Sequence, residues 1–357
     1  MSAQNETIAV RPGEGLDVSA LSNFLTGAFD KFPADEPLVV TQFPAGASNL
    51  TYLLECGSFE AVLRRPPFGP LPAKGHDMKR EYQFLKALSP VFSYAPKPFV
   101  IGEDTEVMDA TFYVMERKRG VVVDKRTSGV QPTAEQARNI SEMFVRLLAD
   151  LHRVDPTSAG LDAFGRPEGF MERQVKSWIQ RFERVKTEDE LGYERLKEWM
   201  LANIVTSGEA TVIHNDFKLN NLLFSTDLSG IEAVVDWEMA TVGDPLFDLG
   251  VALSYWTEAG DSPRLQNGFK SVTTNEGFFT RNQFIERYEQ LTGRNCDDIL
   301  FYQVFAYFKL AVIVQQIYYR WKVGQTEDER FKMYGPMAGE LIKQAVYMME
   351  GEKKLEF

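Results

Sequence analysis

The chain has 357 residues and a formal net charge of −12, with 44% hydrophobic and 25% charged residues. These proportions are ordinary for a soluble globular protein, and the length allows two lobes with separate cores. The acidic balance argues against a nucleic-acid partner and against docking to anionic lipid, because both favour a basic protein surface.

Cysteine usage and hydropathy predict a cytoplasmic protein. Cys56 and Cys296 lie far apart in the sequence, so we expect neither a disulfide framework nor a thiolate metal site. The first residues show no cationic segment followed by an apolar stretch, so we expect no secretion signal. The apolar segment 300–318 contains Gln303, Lys309 and other polar groups. It therefore predicts a buried core helix and no membrane span.

The first third of the chain has the pattern of a small sheet with one covering helix. Strand-like runs separated by Gly, Asn and Ser occupy residues 38–62, and another strand covers 111–115. Between them, residues 77–88 carry apolar side chains at helical spacing.

The rest of the chain is predicted to be mainly helical. The clearest helix covers 133–151, where Thr133 and Gln136 form a capping box ahead of a long apolar stripe. We therefore expect an α+β protein with two domains around a cleft. Residues 1–117 would form a sheet-containing lobe, and residues 118–357 a helical lobe.

A loop of small residues, FPAGASN at 43–49, joins two of the predicted strands. Backbone amides in such a turn can approach phosphate oxygens closely. We therefore predict Gly46, Ser48 and Asn49 as phosphate-contacting residues. A plain hairpin turn has a similar composition, and that alternative stays open.

Arg64 ends a strand, AVLR at 61–64, that corresponds to the V-A-I-K strand of kinases with Arg in place of Lys. Seventeen residues later, Glu81 lies on the predicted helix that would carry the partner carboxylate. Arginine can clamp phosphates with two N–H groups, but it differs from lysine in reach and shape. We predict that both residues belong to a nucleotide site.

Met115 and Glu116 end the last predicted strand of the first lobe. Their backbone groups correspond to the kinase hinge, where a purine edge is bound. The identity of these side chains carries little information about that role, so the prediction rests on their position.

Residues 214–221, HNDFKLNN, have the form H-x-D-x-K-x-x-N of a kinase catalytic loop. In that motif the Asp takes or orients the proton of an attacking hydroxyl, and the Asn five residues later ligates magnesium. Asp216 and Asn221 occupy these positions. We expect His214 to be a buried brace for the loop.

Asp236 follows Asn221 by fifteen residues and stands at the end of an apolar strand. A turn-like segment, 225–230, separates two short strands, so a hairpin would return Asp236 beside Asn221 to share one cation. The alternative is that Asp216, Asn221 and Asp236 are turn formers in ordinary loops.

Only eleven residues separate Asp236 from Asp248, and no A-P-E segment follows. This leaves no room for the activation segment that gives protein kinases a peptide platform. We therefore expect a small hydroxyl compound as acceptor. Asp244 and Asp248 are interpreted as a helix cap and a loop brace.

From about Leu38 onward the chain resembles the aminoglycoside phosphotransferase and choline kinase-like family. Within it, the closest resemblance is to the kinase-like domain found with acyl-CoA dehydrogenases. The segments that carry the resemblance are GASNLTY at 46–52, LRRPP at 63–67, MKRE at 78–81, the catalytic segment 214–224, DWE at 236–238 and GDPLFDLG at 243–250.

The resemblance implies a two-lobed protein-kinase-like fold, with a small antiparallel-sheet lobe and a larger, mainly helical lobe. It implies ATP or GTP as phosphate donor, with Mg²⁺. It also implies that Asp216 is the catalytic base, and that Asn221 and Asp236 ligate the metal. Lys218 falls where protein kinases carry a transition-state lysine, and Arg at position 64 is usual in the subgroup.

The acceptor pocket is expected in the helical lobe, from the insert 160–203 and from helices after Asp248. Its candidate residues are Trp178, Arg181, Tyr255 and Trp256, for which packing in the helical core is the alternative. Basic residues make the insert cationic. We therefore favour an anionic acceptor such as a hydroxy acid or hydroxyacyl-CoA, as the resemblance also suggests.

The leading hypothesis is a small-molecule kinase that moves the γ-phosphate of MgATP or MgGTP to a hydroxyl, with Asp216 as base. A degenerate nucleotide-binding scaffold that regulates a partner is the alternative from another class, motivated by Arg64. An aminoglycoside phosphotransferase is the alternative among enzymes. The sequence leaves the oligomeric state open.

Overall fold

The computed structural model describes residues 6–44, 49–69, 76–104, 106–124, 130–187, 192–269, 271–326 and 328–351. The chain divides into two compact units. The first unit contains the residues up to Gly120 together with Glu232–Ala240. The second contains Val121–Ile231 and the residues from Thr241 onward.

A five-stranded antiparallel sheet forms the centre of the first unit, with strand order β1-β2-β3-β5-β4. The strands are β1 (Leu38–Gln42), β2 (Leu50–Cys56), β3 (Phe59–Arg65), β4 (Pro98–Gly102) and β5 (Phe112–Glu116). The helices of this unit are α1 (Val18–Ala28) and α2 (Met78–Leu88).

The side chains of β3 alternate between the apolar core and the opposite face of the sheet. Ala61 and Leu63 belong to the apolar core that also contains Leu21 and Leu25 of α1. Because successive side chains of a strand point to opposite faces, Arg64 lies on the other face. There it meets Glu81, which α2 carries in its first turn.

The second unit is mainly helical, as expected. Its helices are α3 (Ala134–Leu151), α4 (Phe170–Val185), α5 (Tyr193–Ala202), α6 (Pro245–Tyr255), α7 (Pro263–Phe269), α8 (Arg281–Thr292), α9 (Ile299–Lys322) and α10 (Tyr334–Glu350). Its strands are β6 (Thr211–Ile213), β7 (Leu222–Phe224) and β9 (Thr241–Gly243), of which β6 and β9 pair antiparallel. Strand β8 (Ile231–Val234) begins at Ile231 and continues into the segment that groups with the first unit. The capping box predicted for α3 is confirmed: Thr133 and Gln136 each bond the other's backbone N–H.

Helix α9 is long and apolar enough to cross a membrane by length and composition alone, yet 72% of its apolar window is buried inside the protein. Its side chains belong to the core that also contains residues of α4, α5, α6 and α10. The prediction of a core helix in this segment is confirmed. Gln303, Lys309 and Gln315 are buried within it.

The predicted α+β class, with a small antiparallel sheet and a larger helical part, is confirmed. The boundary differs from the expected division between residues 117 and 118, since the first unit extends to Gly120. In addition, Glu232–Ala240 group with the first unit, although the prediction placed them in the second domain. Asp236 therefore belongs to the unit that carries Arg64 and Glu81.

Candidate active site

The loop between β6 and β7 brings Asp216, Lys218 and Asn221 together. Lys218 Nζ donates to Asp216 Oδ2 at 2.7 Å. Asn221 Nδ2 donates to the Asp216 backbone oxygen at 2.9 Å and to its Oδ2 at 3.1 Å. Two donors thus hold one carboxylate oxygen, while the side chain of Asp216 keeps 15% of its surface exposed. This arrangement leaves a fixed carboxylate with access to a ligand.

Asp248, in the first turn of α6, holds this loop through backbone hydrogen bonds. Its carboxylate is fully buried and accepts hydrogen bonds from the backbone N–H groups of His214 and Asn215, each at 2.7 Å. His152 Nε2 lies 3.2 Å from the same carboxylate. Burial opposes ionisation of Asp248, but the hydrogen bonds and charges of His152 and His214 outweigh it and lower the pKa. The loop is therefore anchored through its backbone to an ionised carboxylate in the core.

The structural roles predicted for Asp244 and Asp248 are confirmed. Asp244 caps α6 by accepting from the N–H of Leu246, and the hydroxyl of Tyr302 donates to its other oxygen at 2.7 Å. His214 is fully buried beside the loop, as expected for a brace.

In the first unit, Arg64 is surrounded by carboxylates. Its guanidinium lies 3.0 Å from Glu81 Oε1 and 3.3 Å from Glu238 Oε2, and it also contacts Asp236. The side chains of Arg64 and Glu81 are only 8% and 2% exposed. The pairing predicted for Arg64 and Glu81 is therefore present, in the form that kinases build from Lys and Glu.

The cluster around Arg64 shifts the ionisation of its members. Burial raises the pKa of Glu81 to about 7, an effect that Arg64 opposes and that Asp236 and Glu238 reinforce. Burial disfavours the charged form of Arg64, but the three carboxylates outweigh it and raise its pKa. Arg64 is therefore a permanent cation in this cluster.

Of the predicted phosphate-contacting residues, Asn49 is described by the structure, while Gly46 and Ser48 lie outside the described residues. Asn49 is 4% exposed. Its Nδ2 donates to Glu238 Oε2 at 2.6 Å, and its Oδ1 lies 2.7 Å from His76 Nδ1. Asn49 is thus tied to the carboxylate cluster around Arg64.

Met115 and Glu116 end β5, as the hinge prediction requires. The Glu116 N–H donates to the Lys97 carbonyl at 2.8 Å, and the Lys97 N–H donates back to the Glu116 carboxylate at 3.1 Å. This pairing occupies the Glu116 N–H. The hinge role of Met115 and Glu116 stays a prediction.

The predicted metal ligands have the chemistry that Mg²⁺ prefers. Asn221 and Asp236 supply amide and carboxylate oxygens, and magnesium is commonly held by one or two such groups together with nucleotide phosphates. The described residues contain no cluster of three or more His, Cys, Asp or Glu able to hold a metal by itself. The donor set thus fits a metal that is bound with its nucleotide. The two ligands belong to different units, and their sharing of one cation stays a prediction.

A cavity of about 300 Å³ lies beside the catalytic loop in the second unit. Lys218 and Asp124 are the charged side chains among the described residues of its lining. Asn220 Nδ2 donates to Asp124 Oδ2 at 2.8 Å, and Lys218 Nζ lies 5.0 Å from the centre of the Tyr255 ring. The rest of the lining is mainly apolar and includes Phe144, Ala252, Trp256, Phe269, Leu310 and Met337.

The cavity separates the predicted acceptor residues into two groups. Tyr255 and Trp256 line it. Trp178 instead packs in the helical core, with the Arg181 guanidinium 4.4 Å above its ring. No residue that the structure describes between 160 and 203 contributes to this lining, so the described part of the insert lies outside this cavity.

Comparison with known sequences identifies the family of this chain. The sequence profile of the phosphotransferase enzyme family matches residues 39–277, which include Arg64, Asp216 and Asp236. The chain belongs to the phosphotransferase enzyme family. The predicted resemblance to aminoglycoside phosphotransferases is thereby confirmed.

Among proteins similar to this chain is acyl-CoA dehydrogenase family member 11 of Rattus norvegicus. It is 32% identical over 335 residues, which cover 92% of this chain and 43% of the rat protein. The predicted similarity to the domain found with acyl-CoA dehydrogenases is confirmed by this match. The chain spans less than half the length of the curated relatives it matches.

Solved structures of the phosphotransferase family share the fold. A Ralstonia eutropha JMP134 protein, provisionally described as an aminoglycoside phosphotransferase, superposes with a TM-score of 0.76 at 27% identity, covering 93% of this chain and 99% of that one. Aminoglycoside phosphotransferase APH(4)-Ia, in a ternary complex with ADP and hygromycin B, gives 0.59 at 15% identity, with the same coverage. The predicted protein-kinase-like fold class is confirmed.

Two residues next to the catalytic loop escaped prediction as site residues. Asp124 lies almost a hundred residues before the loop and shows no motif of its own. In the sequence, Lys309 stands out only as a polar interruption of an apolar segment, although its amine contacts Asn215. A lysine in the middle of a core helix was the one available signal, because such a charge is costly to bury.

Proposed function

We propose that the chain transfers the γ-phosphate of MgATP, or of MgGTP, to a hydroxyl group of a small molecule. The observation that carries this proposal is the Asp216 carboxylate, which Lys218 and Asn221 hold in place. Lys218 also lines the cavity of about 300 Å³. Membership of the phosphotransferase family supports it, and a solved structure of the same fold binds ADP.

Asp216 acts as the catalytic base in this proposal. As the acceptor oxygen forms its bond to the γ-phosphorus, the hydroxyl proton passes to Asp216, and the bond from that phosphorus to the β–γ bridging oxygen breaks. The electron pair leaves with the nucleoside diphosphate. Lys218 keeps the carboxylate oriented and adds positive charge beside the transferred group.

Asn221 and Asp236 would hold the metal, through the oxygen chemistry described above. When bound, Mg²⁺ neutralises charge on the β- and γ-phosphates and so lowers the barrier to their separation. Arg64, with Glu81 as its buried partner, contributes a cation to the nucleotide site in place of the usual lysine.

The acceptor is proposed to bind in the cavity beside the loop. Its mainly apolar lining suits a molecule with a hydrocarbon portion, and Lys218 offers a cation for an anionic group. A hydroxy acid or a hydroxyacyl-CoA combines these features. A polycationic antibiotic would need several carboxylates, whereas Asp124 is the one acidic side chain in the described lining.

The test is phosphate transfer by the wild-type protein and by Asp216→Asn. Transfer to hydroxy acids, hydroxyacyl-CoAs and aminoglycosides is followed by ³¹P NMR and by release of nucleoside diphosphate. Loss of the base is expected to lower kcat by about 10²- to 10⁴-fold while Tm stays unchanged. Asp298→Asn, an exposed carboxylate ahead of α9, is the matched control and should retain full activity. Full activity in Asp216→Asn would remove this residue from its role.

A second candidate function is a nucleotide-binding scaffold that regulates a partner. One observation favours it: Arg64 contacts Asp236, the carboxylate that is proposed to ligate the metal. Nucleotide binding without transfer to any acceptor, and without hydrolysis, would support the scaffold and contradict the kinase.

A further inference from the structure

Lys309 places a basic group in the middle of the core helix α9. The residue is 3% exposed, and neighbouring positions of the helix carry Phe308 and Leu310. Burying an ammonium group is costly unless its protons are used in hydrogen bonds. We therefore expect an interaction in the immediate surroundings of Lys309 that offsets this cost.

The Lys309 amine contacts one residue through two oxygens. Nζ donates to the backbone oxygen of Asn215 at 2.8 Å and to its Oδ1 at 2.6 Å. The N–H of the same residue donates to Asp248 at 2.7 Å. Asn215 is therefore held at its backbone N–H, its backbone carbonyl and its side-chain oxygen.

Asn215 adopts a left-handed backbone conformation, with a φ of 67°. Asparagine is one of the few residues besides glycine that enter this region readily, and the contacts of Lys309 fix the peptide in it. The carbonyl that Lys309 holds belongs to the peptide bond joining Asn215 to Asp216. The orientation of this peptide sets the direction in which the Asp216 carboxylate leaves the backbone.

We propose that Lys309 is a positioning residue for Asp216, acting through the Asn215 peptide, and that it does so as an ammonium ion. It touches neither nucleotide nor acceptor in this role. The inference rests on the proposed function in so far as Asp216 is the base of the reaction.

The surroundings of Lys309 make its charge sensitive to pH. Burial lowers its pKa to about 8; Lys218 and Arg181 add to this effect, while Asp216 and Asp248 oppose it. The remaining neighbours from α4 and α6 are uncharged rings, Trp178 at 5.8 Å and Phe247 at 5.2 Å from Nζ. Since charge-assisted hydrogen bonds are about twice as strong as neutral ones, the hold on Asn215 weakens when Lys309 loses its proton.

The experiment compares wild-type protein with Lys309→Met and Lys309→Arg. Gln315→Met is the matched control, because Gln315 is buried in the same helix and donates to a backbone carbonyl, that of Val185, away from the catalytic loop. Two readouts are taken: the pH dependence of kcat and KM for nucleoside diphosphate release from MgATP, and hydrogen exchange of the amides in residues 214–221.

Lys309→Met is expected to lower kcat about 10- to 100-fold with little change in KM for MgATP, and to raise exchange in 214–221 by a similar factor. Wild-type kcat should fall as pH rises through about 8, and this decline should be absent in Lys309→Met. Lys309→Arg should recover part of the rate and move the decline to higher pH, because arginine keeps its charge.

Unchanged exchange in Lys309→Met would overturn the proposal, even if the wild-type protein proved inactive and the proposed function failed. Equal losses in Lys309→Met and Gln315→Met, with the wild-type pH profile retained, would assign Lys309 a structural role and overturn it as well.

Discussion

The Arg64 guanidinium is buried among the carboxylates of Glu81, Asp236 and Glu238. Arginine presents five N–H donors in a fixed planar arrangement, which suits several carboxylates on different elements. A lysine ammonium is a compact point charge with three donors and does not offer the same geometry. At this residue the structure accounts for the departure from the usual kinase lysine. The arginine joins the helix carboxylate to the residues that follow β8.

Arg64→Met is expected to destabilise the protein by about 3–5 kcal/mol at pH 8, because it leaves Glu81 buried without a cation. The loss should be smaller at pH 5. Burial already raises the pKa of Glu81 above its unfolded value of 4.5, and removal of Arg64 raises it further. The protonated form is therefore tolerated, and stability is lost as pH rises through the folded pKa.

Urea unfolding at pH 5 and pH 8 measures this difference. Arg119→Met is the control, because Arg119 pairs with Glu60 at the surface and is 65% exposed, so its removal should cost less than about 1 kcal/mol at either pH. A loss in Arg64→Met that is equal at the two pH values would show that Glu81 is not the responsible group.

Residues of the site that belong to short local motifs could be predicted from sequence. Asp216, Lys218 and Asn221 lie within six residues, and the structure brings their side chains into contact. Arg64 and Glu81 follow from the correspondence of residues 61–64 to the V-A-I-K strand and from the position of Glu81 on the next predicted helix. Lys309 and Asp124 could not be predicted, because their contacts with the loop span about a hundred residues and depend on how the helices pack.

At the scale of elements, α9 serves both the core and the catalytic loop. Its apolar side chains stabilise the second unit by packing in the core. Burying the Lys309 amine costs free energy, and we attribute the presence of this lysine to its contact with the catalytic loop. The periodicity of the sequence predicted the helix and its burial. It could not indicate which polar residue faces the loop, since α9 is buried on most sides and has no single polar face.

The cost of burying Lys309 predicts opposite effects of pH on stability and activity. Its folded pKa of about 8 lies below the unfolded value of 10.5, so the unfolded chain binds more protons between these values and stability rises with pH there. Relative to Lys309→Met, the wild-type protein should gain on the order of 2 kcal/mol between pH 7 and pH 10. Activity should fall over the same range.

Urea unfolding of wild type and Lys309→Met at pH 7 and pH 10 measures this difference in the free energy of unfolding. Contributions from other titrating groups cancel, because both proteins contain them. Gln315→Met provides the control, because its offset from wild type should not change with pH. A constant offset between wild type and Lys309→Met would mean that the buried amine does not titrate in this range.

At the scale of the whole molecule, the chain consists of a sheet-containing unit with the Arg64 cluster and a helical unit with the Asp216 loop. The predicted class followed from the change of periodicity along the sequence. The assignment of Glu232–Ala240 to the first unit could not be read from that change. It depends on contacts such as those of Trp237 with Phe84 and Phe92, and of Arg80 with the Ala240 carbonyl.

The central claim is that the chain binds a magnesium nucleotide as a phosphotransferase. The most direct test is titration calorimetry of MgATP and MgGTP into the wild-type protein, Asp236→Ala and the control Glu232→Ala, an exposed carboxylate in the same segment. We predict binding to the wild type and the control, sharp weakening in Asp236→Ala, and the same weakening when EDTA removes the metal. Failure of both nucleotides to bind well-folded wild-type protein would contradict the claim.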